Sequence, residues 1–96
     1  MKLTDLLRLK KKEIQQIARQ HGARNLRVFG SVARGEAAEG SDLDLLVEME
    51  PGRSLLNLVA IKQDLEDMLG CKVDVVTEAA VSPYLRERVL KEAVSL

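Results

Sequence analysis

Asp42-Leu43-Asp44 opens the apolar run Leu43–Met49 (LDLLVEM), which places two carboxylates two positions apart at the mouth of a hydrophobic segment. Seven residues are short for a helix and ample for a strand, where side chains alternate between faces. Leu43, Leu45 and Val47 then share one face, and Asp42, Asp44 and Leu46 share the other. The first face needs a helical cover. The second must stay at least partly open, because adjacent like charges are costly to bury and repel. This demand for a one-sided sheet constrains the fold more than any other stretch.

The rest of the chain supplies the cover. Residues 4–21 read as a helix, with Thr4 at its cap, Asp5 at its positive end, Gly22 as its stop, and a stripe of Leu6, Leu7, Ile14, Ile17 and Ala18. Lys10-Lys11-Lys12 interrupts that stripe and reads as a solvated turn with its stems lying along the surface, or else as a weak phosphate-attracting patch. Leu26–Gly30 (LRVFG) is short, apolar and β-prone. Pro51-Gly52 is turn chemistry, Ser54 can cap a helix over 55–69, and Gly70 is a left-handed stop. Val73–Thr77 is a third strand, and Ser82-Pro83 opens a final helix. Glu87/Lys91 and Arg88/Glu92 are i,i+4 pairs that suggest an exposed face on it. The order gives an α/β (α+β) domain with a small mixed sheet of three or more strands and helices packed mainly on one face. The helix between the second and third strands allows those two to run parallel, and the first two can pair antiparallel across the loop at 31–42.

A chain of 96 residues points to one domain spanning 1–96. At this size stability is modest, which leaves self-association open as a support. Net charge is zero, so no basic footprint for long nucleic acid is expected, and Phe29 and Tyr84 are too few for a base-stacking platform. Cys71 stands alone and reads as a packing residue in a cytosolic protein. Neither a leader pattern nor an apolar run of bilayer length is seen, so no membrane association is expected. His21, at a helix end, reads as a C-terminal cap, while Tyr84 fits either an interface or the core.

The acids carry the chemistry. Cα atoms two strand residues apart are roughly 6.5–7 Å from each other, so Asp42 and Asp44 can converge on one ion or a close pair. Asp74, between Val73 and Val75, points away from the core face in the same way and can lie beside Asp44 if their strands are neighbours. Any one of the three also reads as a solvent-facing strand residue. All three opposite a valine and leucine core favour a metal site, and oxygen-only ligands select magnesium or manganese over zinc. Gly30 lets a phosphate or backbone come close, and Ser31 can cap a single turn at 32–34 whose free N–H groups receive an anion. Arg34 either reaches the same phosphates or pairs on the surface with Glu36 or Glu39.

Gly30-Ser31, ten intervening residues, Asp42-Leu43-Asp44 and a later strand bearing Asp74 together resemble the DNA polymerase β-like nucleotidyltransferase superfamily. The compact run GSVARGEAAEGSDLDLLVE is similar to that of the minimal nucleotidyltransferases (MNT), the partners of HEPN-domain proteins in two-gene modules. The resemblance covers roughly residues 3–94. It implies that Asp42, Asp44 and Asp74 hold two Mg²⁺ ions, with Mn²⁺ as a substitute, and that Asp74 also helps activate the attacking hydroxyl. It implies that Gly30 and Ser31, with Arg34, contact the phosphates of ATP. It further implies an antitoxin that transfers AMP from ATP to a tyrosine of a HEPN ribonuclease toxin. Two alternatives stand beside this: an antitoxin that inhibits by binding alone, and nucleotidyl transfer to a small hydroxylated molecule. Larger members carry an additional domain that helps clamp base and acceptor; none is expected within these 96 residues, so base selection stays open and the partner can complete the pocket.

Overall fold

The computed structural model describes residues 2–37 and 40–96. Helices α1 (Leu3–Leu9) and α2 (Lys11–Gln20) lead into strand β1 (Ala23–Phe29), and a loop connects it to β2 (Leu43–Met49). Helix α3 (Leu55–Leu69) crosses to β3 (Val73–Thr77). A 3₁₀ turn at Glu78–Ala80, helix α4 (Pro83–Glu92) and a two-residue strand β4 (Val94–Ser95) complete the chain. The sheet order is β3-β2-β1-β4, with β1 antiparallel to both neighbours and β2 parallel to β3.

The core forms where the alternation put it. Leu43, Leu45 and Val47 of β2 are buried with Val73 of β3 and Val28 of β1, under Leu7, Ile14 and Ala18 from the first two helices and Ile61, Leu65 and Leu69 from α3. Full burial of each such aliphatic side chain is worth about 1.5–3 kcal/mol. α3 starts and stops as its sequence dictates: the Ser54 N–H donates to Asn57 Oδ1 at 2.9 Å, and Gly70 ends the helix at φ +69°.

Three expectations need correction. The helix over 4–21 is two helices broken at Lys10 (φ −99°, ψ 9°). The break falls at the lysine run, where the apolar stripe that would hold one continuous helix against the core is interrupted. Thr4 lies inside α1, whose N-cap is Lys2 with no side-chain capping bond. The first strand begins at Ala23 and ends at Phe29 rather than spanning 26–30. Arg24 and Asn25 join it through a bulge: Asn25 takes φ +54°, the register slips between Arg24 and Arg27, and Asn25 Nδ2 donates to Glu48 Oε1 at 3.0 Å. The second face is partly open, as expected: the acids on it are reached by solvent while Leu46 is covered. Leu46 is fully buried, Val89 of α4 is largely buried, and both stand outside the main core cluster.

His21 is the C-cap of α2, as expected, and its Nε2 lies 2.9 Å from Asp64 Oδ2. Tyr84 is 96% exposed, which takes it out of the core. Among the described residues no helix is long and apolar enough to cross a membrane.

Candidate active site

The parallel pairing of β2 and β3 sets Asp44 and Asp74 directly opposite each other, while Phe29 of β1 faces Asp44 from the other side. Neighbouring strands are about 4.8 Å apart, so the two carboxylates are held close by the backbone itself. Asp44 is half-buried; Asp74 and Asp42 are exposed, and Asp42 lies just ahead of β2. Burial pushes the Asp44 carboxyl above its ordinary value of 3.8, the charges of Asp74 and Asp42 push it further, and a side-chain hydrogen bond with Asp74 adds to this. Arg34 pulls it partway back. The structure therefore brings Asp44 and Asp74 together and keeps Asp42 within electrostatic reach. Among the described residues, no three acidic, histidine or cysteine side chains close into a finished cation cage.

Gly30 begins the turn beyond β1 with φ +76°, and a Cβ there would run into Asp44 Oδ2. The absence of a side chain is thus what lets the Asp44 carboxylate lie under the turn. The Arg34 N–H donates to the Gly30 carbonyl at 3.1 Å, closing one helical turn, and the N–H groups of Gly35 and Glu36 donate to Val32 and Ser31. Among the described residues, the N–H groups of Ser31, Val32 and Ala33 take no part in these bonds, so they remain as anion donors in the manner of a helix N-terminus. Arg34 fulfils the surface-pairing expectation with Glu36, at 3.0 Å; Glu39 lies outside the described residues.

A residue that sequence reasoning passed over dominates this corner. Glu92, at the end of α4, accepts the Gly30 N–H at 3.0 Å and the Arg34 Nη1–H at 2.6 Å. Its side chain is only 15% exposed, against the exposed face that the Arg88/Glu92 spacing suggested. The contact spans 62 positions, so the only signal in the sequence was that Arg34 needed an acidic partner.

The two cations whose charge reaches the acids, Arg34 and Lys62, are both engaged with other partners. Arg34 is held by Glu92 and Glu36, and Lys62 of α3 donates to Glu66 at 2.9 Å and to the Val73 carbonyl at 2.8 Å. Asp42 and Asp74 act on Lys62 only as weaker, more distant charges. An all-oxygen donor set, repelled from within and only partly offset by Arg34, suits a hard divalent cation. Cys71 is half-buried and burial pushes its thiol up, which agrees with packing rather than nucleophilic use.

The family profile described as a nucleotidyltransferase domain matches residues 9–96. A candidate protein adenylyltransferase of Methanocaldococcus jannaschii is 46% identical over 86 residues, covering 90% of this chain and 92% of the relative. The protein adenylyltransferase MntA of Thermococcus cleftensis is 38% identical over 92 residues, covering 96% of this chain and 90% of the relative. A solved structure described as a minimal nucleotidyltransferase superposes with a TM-score of 0.87 at 51% identity, covering 100% of this chain and 97% of the other. The fold also matches a complex of a tri-AMPylated HEPN toxin with its MNT antitoxin from Shewanella oneidensis, at a TM-score of 0.69 and 20% identity, over 92% of this chain and 69% of the other.

Proposed function

This chain belongs to the nucleotidyltransferase domain family, and we propose that it is a Mg²⁺-dependent protein adenylyltransferase that transfers AMP from ATP to a tyrosine of a HEPN toxin in the cytoplasm, acting as its antitoxin. The observation that carries this reading is the registered pair Asp44 and Asp74 beneath the Gly30 turn. Protein adenylyltransferase relatives that match nearly the whole chain support the class of acceptor.

In this reading Asp42, Asp44 and Asp74 hold the divalent cations. Bound there, such ions supply positive charge to the phosphates and ease loss of the hydroxyl proton. The chain's own residues do the positioning. The free N–H groups after Gly30, the Ser31 hydroxyl and Arg34 receive the phosphate chain and fix its direction relative to the acids. β3 is an edge strand and Asp74 is exposed, so an acceptor tyrosine can approach Asp74 from solvent. The tyrosine oxygen forms its bond to the α-phosphorus as the bond to pyrophosphate breaks. The phenolic proton passes to the Asp74 side, and pyrophosphate leaves past the turn. No covalent enzyme intermediate is required.

Incubation with ATP, Mg²⁺ and the HEPN protein encoded beside it tests the proposal by mass spectrometry. The neighbour gains the mass of AMP on a tyrosine, and the gain is absent with Asp42→Asn/Asp44→Asn. If that double variant still neutralises the toxin fully, inhibition is by binding alone; AMP found on a small hydroxylated molecule instead would move the acceptor class.

A further inference from the structure

The Arg34 guanidinium, assigned above to the phosphate chain, and the Gly30 N–H at the start of the same turn are bridged by the two oxygens of one carboxylate, Glu92. A phosphate presents the same kind of oxygen pair to the same kind of donors. Glu92 is also anchored on both sides. It ends α4, where the Ala93 N–H donates to the Val89 carbonyl at 2.9 Å, and the chain then pairs at once with β1 through Val94 opposite Val28 and Ser95 opposite Arg27. The carboxylate is thus presented from a fixed backbone next to Gly30.

We propose that Glu92 is an internal competitor for the phosphate chain, and so a specificity-determining residue: it reserves the Gly30–Arg34 corner for ligands whose phosphates reach it with enough charge to displace a carboxylate. This rests on the reading of that turn as phosphate-binding. A nucleoside triphosphate spans from the acids to the turn and can displace Glu92. A nucleoside monophosphate, with its one phosphate at the acids, cannot reach the corner and gains nothing from it. The competitor favours substrate over AMP and speeds pyrophosphate release by refilling the corner as the product leaves.

Calorimetry with a non-hydrolysable ATP analogue and Mg²⁺, with inorganic tripolyphosphate, and with AMP separates the outcomes. Glu92→Gln keeps an acceptor oxygen for Gly30 but removes the charge. It tightens the analogue and tripolyphosphate by roughly tenfold, the scale of one charge-assisted hydrogen bond, and leaves AMP unchanged. Adding Arg34→Ala cancels the gain. Unchanged or weaker triphosphate binding in a folded Glu92→Gln protein overturns the proposal and makes Glu92 a support for Arg34. Equal tightening of AMP also overturns it, in favour of a general field effect. In the wild-type chain, tripolyphosphate should shift the Gly30 amide and the Glu92 carboxyl resonances together; a shift of Gly30 with Glu92 unmoved is a second contradiction that needs no variant. If neither phosphate ligand binds any form of the protein, the phosphate reading of the turn fails.

Discussion

Asp44→Asn should lower AMP transfer by about 10³-fold, the scale on which loss of one group that stabilises transition-state charge is felt, and should at the same time raise the melting temperature at neutral pH. Both effects come from one placement. Asp44 is the central acid, opposite Asp74 and beneath Gly30, and burial together with its acidic neighbours lifts its carboxyl above the ordinary 3.8. A carboxyl raised on folding contributes its full stability below its unfolded value and loses it as pH rises through the folded value. At neutral pH the wild-type chain therefore carries an unfavourable charge, which asparagine removes. The melting curves of the two proteins should converge in acid and separate as pH rises. Glu66 and Glu92 behave oppositely. The Val73 N–H holds the first below its usual range and Arg34 holds the second, so their contribution is present above the ordinary glutamate value and falls away in acid. They are common to both proteins and cancel in the difference. A variant that melts lower at neutral pH would mean that Asp44 is not held against its neighbours.

Gly30→Ala is the second large effect, on stability and activity together. A residue with a side chain at φ +76° is strained by roughly 1–2 kcal/mol, and the added methyl must also displace the Asp44 carboxylate. A total loss of about 2–3 kcal/mol is expected, a large part of the reserve of so small a domain and on the order of 10 °C or more in melting temperature. Transfer should fall with it, because the acid that moves is the one proposed above to hold the cations. Gly35→Ala is the control: its φ is +73°, but a Cβ there meets nothing within 4 Å. It should show the strain alone, with a melting shift well short of that of Gly30→Ala and much of the activity kept. Equal losses in the two variants would mean that the contact with Asp44 does not matter.

The elements legible in the sequence were those fixed by local rules. β2 and β3 follow from alternation, α3 from its Ser54 cap and Gly70 stop, and α4 from Ser82-Pro83. The parallel β2–β3 pair, and with it the meeting of Asp44 and Asp74, followed from the crossover helix. What stayed hidden was decided by tertiary pairing. Arg24 and Asn25 are poor strand formers that join β1 through a bulge and a bond to Glu48. β4 is two residues long and exists only as a partner for β1. The break at Lys10 shows in the sequence as a polar interruption, but no glycine or proline marks it as a helix end. Glu92 was masked by the spacing that pairs it with Arg88, which describes an exposed helix face but not a carboxylate turned in toward Gly30.

Mn²⁺ uptake measured by calorimetry, with a non-hydrolysable triphosphate present, bears most directly on whether the acids at the mouth of β2 and β3 form a catalytic metal site. Saturable uptake that disappears in Asp44→Asn/Asp74→Asn, while the fold is kept, is the predicted result. No uptake by the wild-type chain, or uptake that the double variant retains, would contradict it.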